Sequence, residues 1–513
     1  MPPRPVPRRS AAFRALARGG GCLLLAAVSL AAGVPGGSGR AAPPAAPGFP
    51  IPIPRPVDYR SRWGSTLAVD LDHDGRSELL AVVPSGHLFL IDRGGAKVPG
   101  WPRTVADLPG PAWPVGQPGV GDLDGDGLDE VVACVNAGAA PRRAFLVAWH
   151  RDGARVSGWP VEIPTLDPYA GCSPGGTLVA DLDADGRAEV AQAISPAEIW
   201  LYDGDGRPLP GWPFRPPLRA SGAAPPINAR LAAADLEGNG RREVIAVESG
   251  SGPLLHALTL QGGEAPHYPR LLQELVDTQA PATGDLDGDG IAEVVQATLP
   301  VSGDFMDSVE LPPAIPGALH SLRKDGSEAA GWPVPLSAGA MWGALVLDLD
   351  GDGRAEVLQG DGDTLHGFDA AGRTLQGFPL TMRRLFTRAA VRLDSSWVAG
   401  DLDGDGRADF LRALGRLDGD IVELRVAAIR NPTGTPVPGT PWTIAGLLPA
   451  SQPALLDLTG DGAPEVALLA TEGASGAWRL LAWDFAAGRN GGGAAVKSDR
   501  QGAAVTLPGP IPR

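Results

Sequence analysis

Eight stretches of the 513-residue chain crowd acidic residues into nine positions each. The first runs from Asp70 to Glu78, and copies align to it without a gap from Asp122, Asp181, Asp235, Asp285, Asp348, Asp401 and Asp457. Counting the leading aspartate as position 1, acids fall at 1, 3, 5 and 9 in six copies and at three of these positions in the other two, with glycine at 6 in every copy. Carboxylates packed this closely repel one another, and a bound cation offsets that repulsion. Oxygen-only ligands suit calcium, which accepts about six to eight oxygens in loose geometry, better than they suit magnesium or zinc. Glycine at position 6 can take the positive φ that wraps the chain around an ion.

The expected ligands are the side chains at positions 1, 3, 5 and 9 and the backbone carbonyl at position 7. In the first two loops these are Asp70, Asp72, Asp74, Arg76 and Glu78, then Asp122, Asp124, Asp126, Leu128 and Glu130. The third and fourth supply Asp181, Asp183, Asp185, Arg187 and Glu189, then Asp235, Glu237, Asn239, Arg241 and Glu243. The fifth and sixth supply Asp285, Asp287, Asp289, Ile291 and Glu293, then Asp348, Asp350, Asp352, Arg354 and Glu356. The last two supply Asp401, Asp403, Asp405, Arg407 and Asp409, then Asp457, Thr459, Asp461, Ala463 and Glu465. Asn239 and Thr459 each remove one carboxylate, so the fourth and eighth loops should bind more weakly. An EF-hand would need glutamate at position 12, where Ala81, Ala133, Gln192 and Gln296 stand in four of the loops. An Asp-Gly hairpin turn would explain one copy, but not eight. Up to eight calcium ions would cancel the formal net charge of −16.

The steps between leading aspartates are 52, 59, 54, 50, 63, 53 and 56 residues, one supersecondary unit each. An apolar or β-branched run follows every loop, as in Val131-Val132-Ala133-Cys134-Val135. A second run follows that, as in Leu88-Phe89-Leu90-Ile91, and ends in a turn. A Gly-aromatic-Pro step closes the unit at Trp101, Trp159, Trp212, Trp332 and Phe378, with His267-Tyr268-Pro269 and Pro441-Trp442 as looser copies. With the strand before the loop, each unit has four strands, the content of a propeller blade. The fold class expected is therefore all-β, a single propeller of eight four-stranded blades, with seven as the alternative count. The calcium loops lie between first and second strands. Glycine and proline density, with no sustained 3.6-residue pattern, excludes helical repeats.

No Gly-aromatic-Pro step follows the eighth loop, whereas Gly48-Phe49-Pro50 stands near the start. Phe49 precedes Asp70 by the interval that separates Trp101 from Asp122, so a strand at 48–54 is expected to complete the last blade. The division expected is a signal peptide at 1–41, the propeller at 42–484 and a Gly-rich tail at 485–513.

These eight loops resemble the FG-GAP/VCBS class of repeats, found in the propeller of integrin α-subunits and in many secreted bacterial proteins. The resemblance spans about residues 48–484. It implies a calcium-stabilised module, non-catalytic, that binds a protein or glycan ligand. Some secreted polysaccharide lyases are similar in carrying an eight-bladed calcium propeller, which makes a carbohydrate-active enzyme the alternative. Such an enzyme should show a basic or histidine-containing cleft.

Acidic residues outnumber Lys and Arg, 59 to 43, which argues against a nucleic-acid partner. Arg4, Arg8, Arg9, Arg14 and Arg18 precede the apolar run from Cys22 to Val34, the pattern of an export signal. That run is too short for a stable membrane span, so a secreted, periplasmic or cell-surface protein is expected; it is expected to be a monomer. Cys134 and Cys172 would then be free either to pair or to pack as small apolar side chains.

Other candidates for chemistry are weaker. Gly171-Cys172-Ser173-Pro174-Gly175 has the letters of a nucleophile elbow, but Pro174 offers no N–H to an oxyanion. His73, His87, His150, His256, His267, His320 and His366 form no metal-binding motif. Trp101, Trp159, Trp212 and Trp332 are better placed for packing between blades than for stacking on sugars. The longest insertion, Leu299 to Ala318, should carry Asp304-Phe305-Met306-Asp307 on the rim, where a loop on a rigid scaffold can bind a ligand.

Overall fold

The computed structural model describes residues 42–484, apart from 44, 54–63, 84, 139–141, 166–170, 196, 220–221, 223, 302–314, 337–339, 341, 362–363, 383–390, 419–420 and 473–475. The leader, the C-terminal tail and the rim segment around Asp304 lie outside the described residues.

The chain folds as eight antiparallel blades arranged in a ring, and strand is the only regular structure longer than a turn among the described residues. Blade 1 runs outward through Ser65–Val69, Glu78–Val83, His87–Ile91 and Arg103–Thr104. Its second strand is buried at all six positions, because neighbouring blades cover both of its faces. Hence these strands read as continuous apolar runs and not as an alternation. The outer position of blade 3 is held by the single bridge between Ile199 and Phe214.

Blade 8 takes its outer strand from the other end of the chain. Ile51–Ile53 pairs antiparallel with Trp478–Trp483, Ile51 opposite Leu480 and Ile53 opposite Trp478. Ile51 and Ile53 are buried while Pro52 between them faces solvent, the period-2 pattern of a strand covered on one side.

Each apolar cluster of the core joins two adjacent blades, and together they account for every joint of the ring. Leu80 and Leu90 of blade 1 pack with Val131 and Val147 of blade 2. Ile51, Ile53, Leu469 and Leu480 of blade 8 pack with Leu79 and Phe89 of blade 1. The core thus lies between sheets, whose inner faces interdigitate as stacked sheets do at about 10 Å.

The Gly-aromatic-Pro steps place each aromatic ring in one of these joints and tie it down. Trp101 Nε1 donates to the Arg151 carbonyl at 2.7 Å, Trp159 Nε1 to Gly204 at 3.0 Å, Trp212 Nε1 to Leu260 at 2.9 Å and Trp332 Nε1 to Ala370 at 2.9 Å. Every acceptor is in the third-to-fourth-strand turn of the next blade. A bulky apolar ring with one N–H suits this place, since its polar end finds a partner within the joint. In blade 7 the matching step is Gly439-Thr440-Pro441: Gly439 has φ +95° and the Thr440–Pro441 bond is cis, like the other X–Pro bonds of these steps. Thr440, not Trp442, therefore occupies the aromatic position, and Trp442 begins the outer strand Trp442–Ala445. The sequence reading, which took Trp442 for the aromatic of this step, is off by two residues.

Cys134 and Cys172 pair as a disulfide between the second strand of blade 2 and the first strand of blade 3. This resolves the two alternatives left by the sequence.

Candidate metal centres in the blade loops

All eight acidic loops connect the first strand of a blade to the second, so they lie on one face of the ring. Their backbone is the same in each. Position 6 has positive φ throughout, from +81° at Gly75 to +92° at Gly186. Position 4 is left-handed too, and in loops 1 and 3 it is filled by His73 at φ +53° and Ala184 at φ +63°. Those two residues, which are not glycine, hide the second turn from sequence inspection.

The side chains at positions 1, 5 and 9 each give at least one oxygen to the backbone. The position 6 N–H donates to the position 1 aspartate in every copy, as Gly75 does to Asp70 at 2.9 Å and Gly240 to Asp235 at 2.7 Å. The position 7 N–H donates to the side chain at position 5, as Arg187 does to Asp185 and Arg241 to Asn239, both at 2.8 Å. The position 2 N–H donates to the carboxylate at position 9, as Leu123 does to Glu130 and Leu182 to Glu189, both at 2.8 Å.

What remains is a set of oxygens that converge. Asp181, Asp183 and Glu189 bring ligand atoms within 4.8 Å of one another, as do Asp70, Asp72 and Glu78, and likewise Asp285, Asp287 and Asp289. In loop 2, Asp122, Asp124 and Asp126 converge, and so do Asp124, Glu130 and His150, whose Nδ1 lies 2.9 Å from Glu130 Oε1. Asp72 Oδ1 is buried without a hydrogen-bond partner among the described residues. Burial pushes the position 9 carboxyl upward in every loop, to about 7 for Glu189, Glu293, Asp409 and Glu465. In Glu189 and Glu293 the neighbouring aspartates add to the rise. A carboxyl in this setting holds a proton or a cation, and hard oxygen donors at these separations fit a divalent ion of calcium's kind.

Adjacent loops are also joined. The position 8 N–H donates into the preceding loop: Asp129 to the Leu71 carbonyl at 2.9 Å, Ala188 to Asp122 at 2.6 Å, Arg242 to Leu182 at 2.8 Å and Ala355 to Asp285 at 2.9 Å.

Cationic side chains that the sequence reading did not single out reach into some loops. Arg151 meets loop 1, Arg93 lies 3.1 Å from Asp457 in loop 8, and Arg430 lies 2.5 Å from Asp403 in loop 7. Their only sequence signal is their place in the turn after a third strand.

The other candidates are committed to structural partners. Ser173 is fully buried in a strand and its hydroxyl donates to the Ile227 carbonyl at 2.7 Å. His320 is clamped between Glu328, 2.6 Å from Nδ1, and Glu274, 3.2 Å from Nε2. Burial alone would lower its pKa, but the two carboxylates outweigh it and hold the imidazole up at about 9. His256 sits in the same way between Glu264 and Glu248. No helix among the described residues is long and apolar enough to cross a membrane.

No protein-family model matches the chain, and no curated protein matches it. Solved structures do. The exotype rhamnogalacturonan lyase YesX is similar over 84% of this chain and 91% of its own, at 15% identity and a TM-score of 0.44. The Bacillus licheniformis rhamnogalacturonan lyase PL11 is similar over 86% of this chain and 90% of its own, at 15% identity and a TM-score of 0.40. The V. cholerae biofilm matrix protein Bap1 is similar over 81% of this chain and 76% of its own, at 14% identity and a TM-score of 0.34.

Proposed function

We propose that the chain is an exported, calcium-locked propeller that serves as a non-catalytic binding module for a protein or glycan. Calcium would be held by the carboxylates at positions 1, 3, 5 and 9 and the carbonyl at position 7 of the acidic loops. The observation that carries this reading is the joining of neighbouring loops by backbone hydrogen bonds, between loops 1 and 2, 2 and 3, 3 and 4, and 5 and 6. An ion in one loop then fixes the loop beside it, and the charge it neutralises lies at the joint between blades. Calcium in this role supplies rigidity, which a binding surface needs because ordering a loose loop on contact costs affinity. The commitment of Ser173, His256 and His320 to buried partners supports a scaffold role for them as well.

A glycan array probed with the purified protein, with and without a chelator, tests the proposal. Binding that disappears with the chelator and returns with calcium is the expected result. Uronic-acid polysaccharides incubated with the protein and calcium provide the opposing arm: ultraviolet absorbance from new double bonds would overturn the non-catalytic reading.

A further inference from the structure

Loop 1 differs from the other loops in what stands at its centre. Arg151, in the turn between the third and fourth strands of blade 2, turns its guanidinium back into the loop of blade 1. Its Nη2 lies 2.7 Å from Glu78 Oε1 and 3.0 Å from Asp72 Oδ2, and its Nε donates to Glu78 Oε1 at 3.1 Å. Asp72 and Glu78 are positions 3 and 9, the pair whose oxygens must converge to close a metal site. Two N–H groups of one fork-shaped cation satisfy them instead, a geometry that guanidinium supplies and ammonium does not.

Arg151 is not there by chance of a mobile side chain. Its own carbonyl accepts the Trp101 indole N–H at 2.7 Å, so the joint between blades 1 and 2 fixes the backbone from which the guanidinium extends. In the equivalent joints Trp159, Trp212 and Trp332 donate to Gly204, Leu260 and Ala370, residues that carry no charge. Arg93 stands at the same place in blade 1 and contacts Asp457 of blade 8. Two residues past the third strand, an arginine thus reaches the loop of the preceding blade in blade 1 as in blade 2.

Resting on the calcium reading above, we propose that Arg151 replaces the metal ion of loop 1, so that this loop is an ionic joint independent of calcium while loops with neutral residues at that turn bind the ion. A divalent ion and a guanidinium sharing two carboxylates would repel each other, and each carboxylate has already given an oxygen to the arginine.

Native mass spectrometry of the full chain, desalted after saturation with calcium, counts the bound ions. Arg151→Met keeps the stem and removes the charge, and should bind one ion more than the unaltered chain. Ala370→Arg places a guanidinium opposite loop 5 and should bind one fewer. Equal, non-zero counts in the unaltered chain and Arg151→Met would overturn the inference and leave the calcium reading standing. No bound calcium in any of them would overturn both. If Arg151→Met does not fold, Ala370→Arg decides: loss of one ion supports the replacement and an unchanged count refutes it.

Discussion

Replacing Ile51 and Ile53 together by alanine tests whether the N-terminal strand carries the closure of the ring. Both side chains are nearly inaccessible, at 7% and 8% exposure, and both pack in the cluster that joins blade 8 to blade 1. Removing a buried isoleucine side chain to Cβ costs about 2–5 kcal/mol. The strand is outermost in its blade, where neighbours relax more readily, which sets the expectation near ~2 kcal/mol for each and ~4 kcal/mol for the pair. That is a large part of a net stability of about 5–15 kcal/mol. With a urea slope of roughly 3 kcal/mol/M, the unfolding midpoint should fall by about 1 M. Fluorescence reports the transition, since Trp478 and Trp483 lie on the strand that Ile51–Ile53 covers. Pro52→Ala is the control, because Pro52 faces solvent and its replacement should stay within about 0.5 kcal/mol. A double variant that unfolds at the midpoint of the unaltered chain would show that the pairing contributes nothing to closure.

Further perturbations address the loops, the disulfide and the buried histidines. Gly186→Ala introduces a Cβ that meets nothing within 4 Å, so any loss comes from backbone strain at φ +92°; about 1–2 kcal/mol is expected, and an unchanged melting temperature would refute it. Cys134→Ala with Cys172→Ala opens a link across 38 residues, whose loop entropy predicts a loss of ~4 kcal/mol in thermal or urea unfolding; a loss under ~1 kcal/mol would count against that account. His320, held at about 9 in the folded state, contributes stability that is fully present below its unfolded value near ~6.5 and fades as pH rises through 9. His320→Gln should therefore flatten the decline of unfolding free energy over that window, and parallel profiles for the two proteins would contradict the assignment.

Much of this protein is legible along the chain because its information is local. The loop at Asp70 is read from nine consecutive residues, and the hydrogen bonds within it span no more than seven positions, from Leu71 N–H to Glu78. The strand at Ile51–Ile53 could be assigned to the last blade because the Gly48-Phe49-Pro50 step repeats the spacing found inside the other units. Where the repeat weakens, local reading slips: Thr440 holds the aromatic position of blade 7, and the left-handed turn at position 4 is masked by His73 and Ala184.

What tertiary structure alone decided lies between blades. The Cys134–Cys172 bond, the Trp101 N–H on the Arg151 carbonyl and the Glu274–His320 contact join residues 38, 50 and 46 positions apart. These pairings depend on the rotation that carries one blade onto the next, which no residue's own preference specifies. For the same reason the sequence announces eight similar acidic loops, whereas only the packed ring shows Arg151 of one blade inside the loop of another.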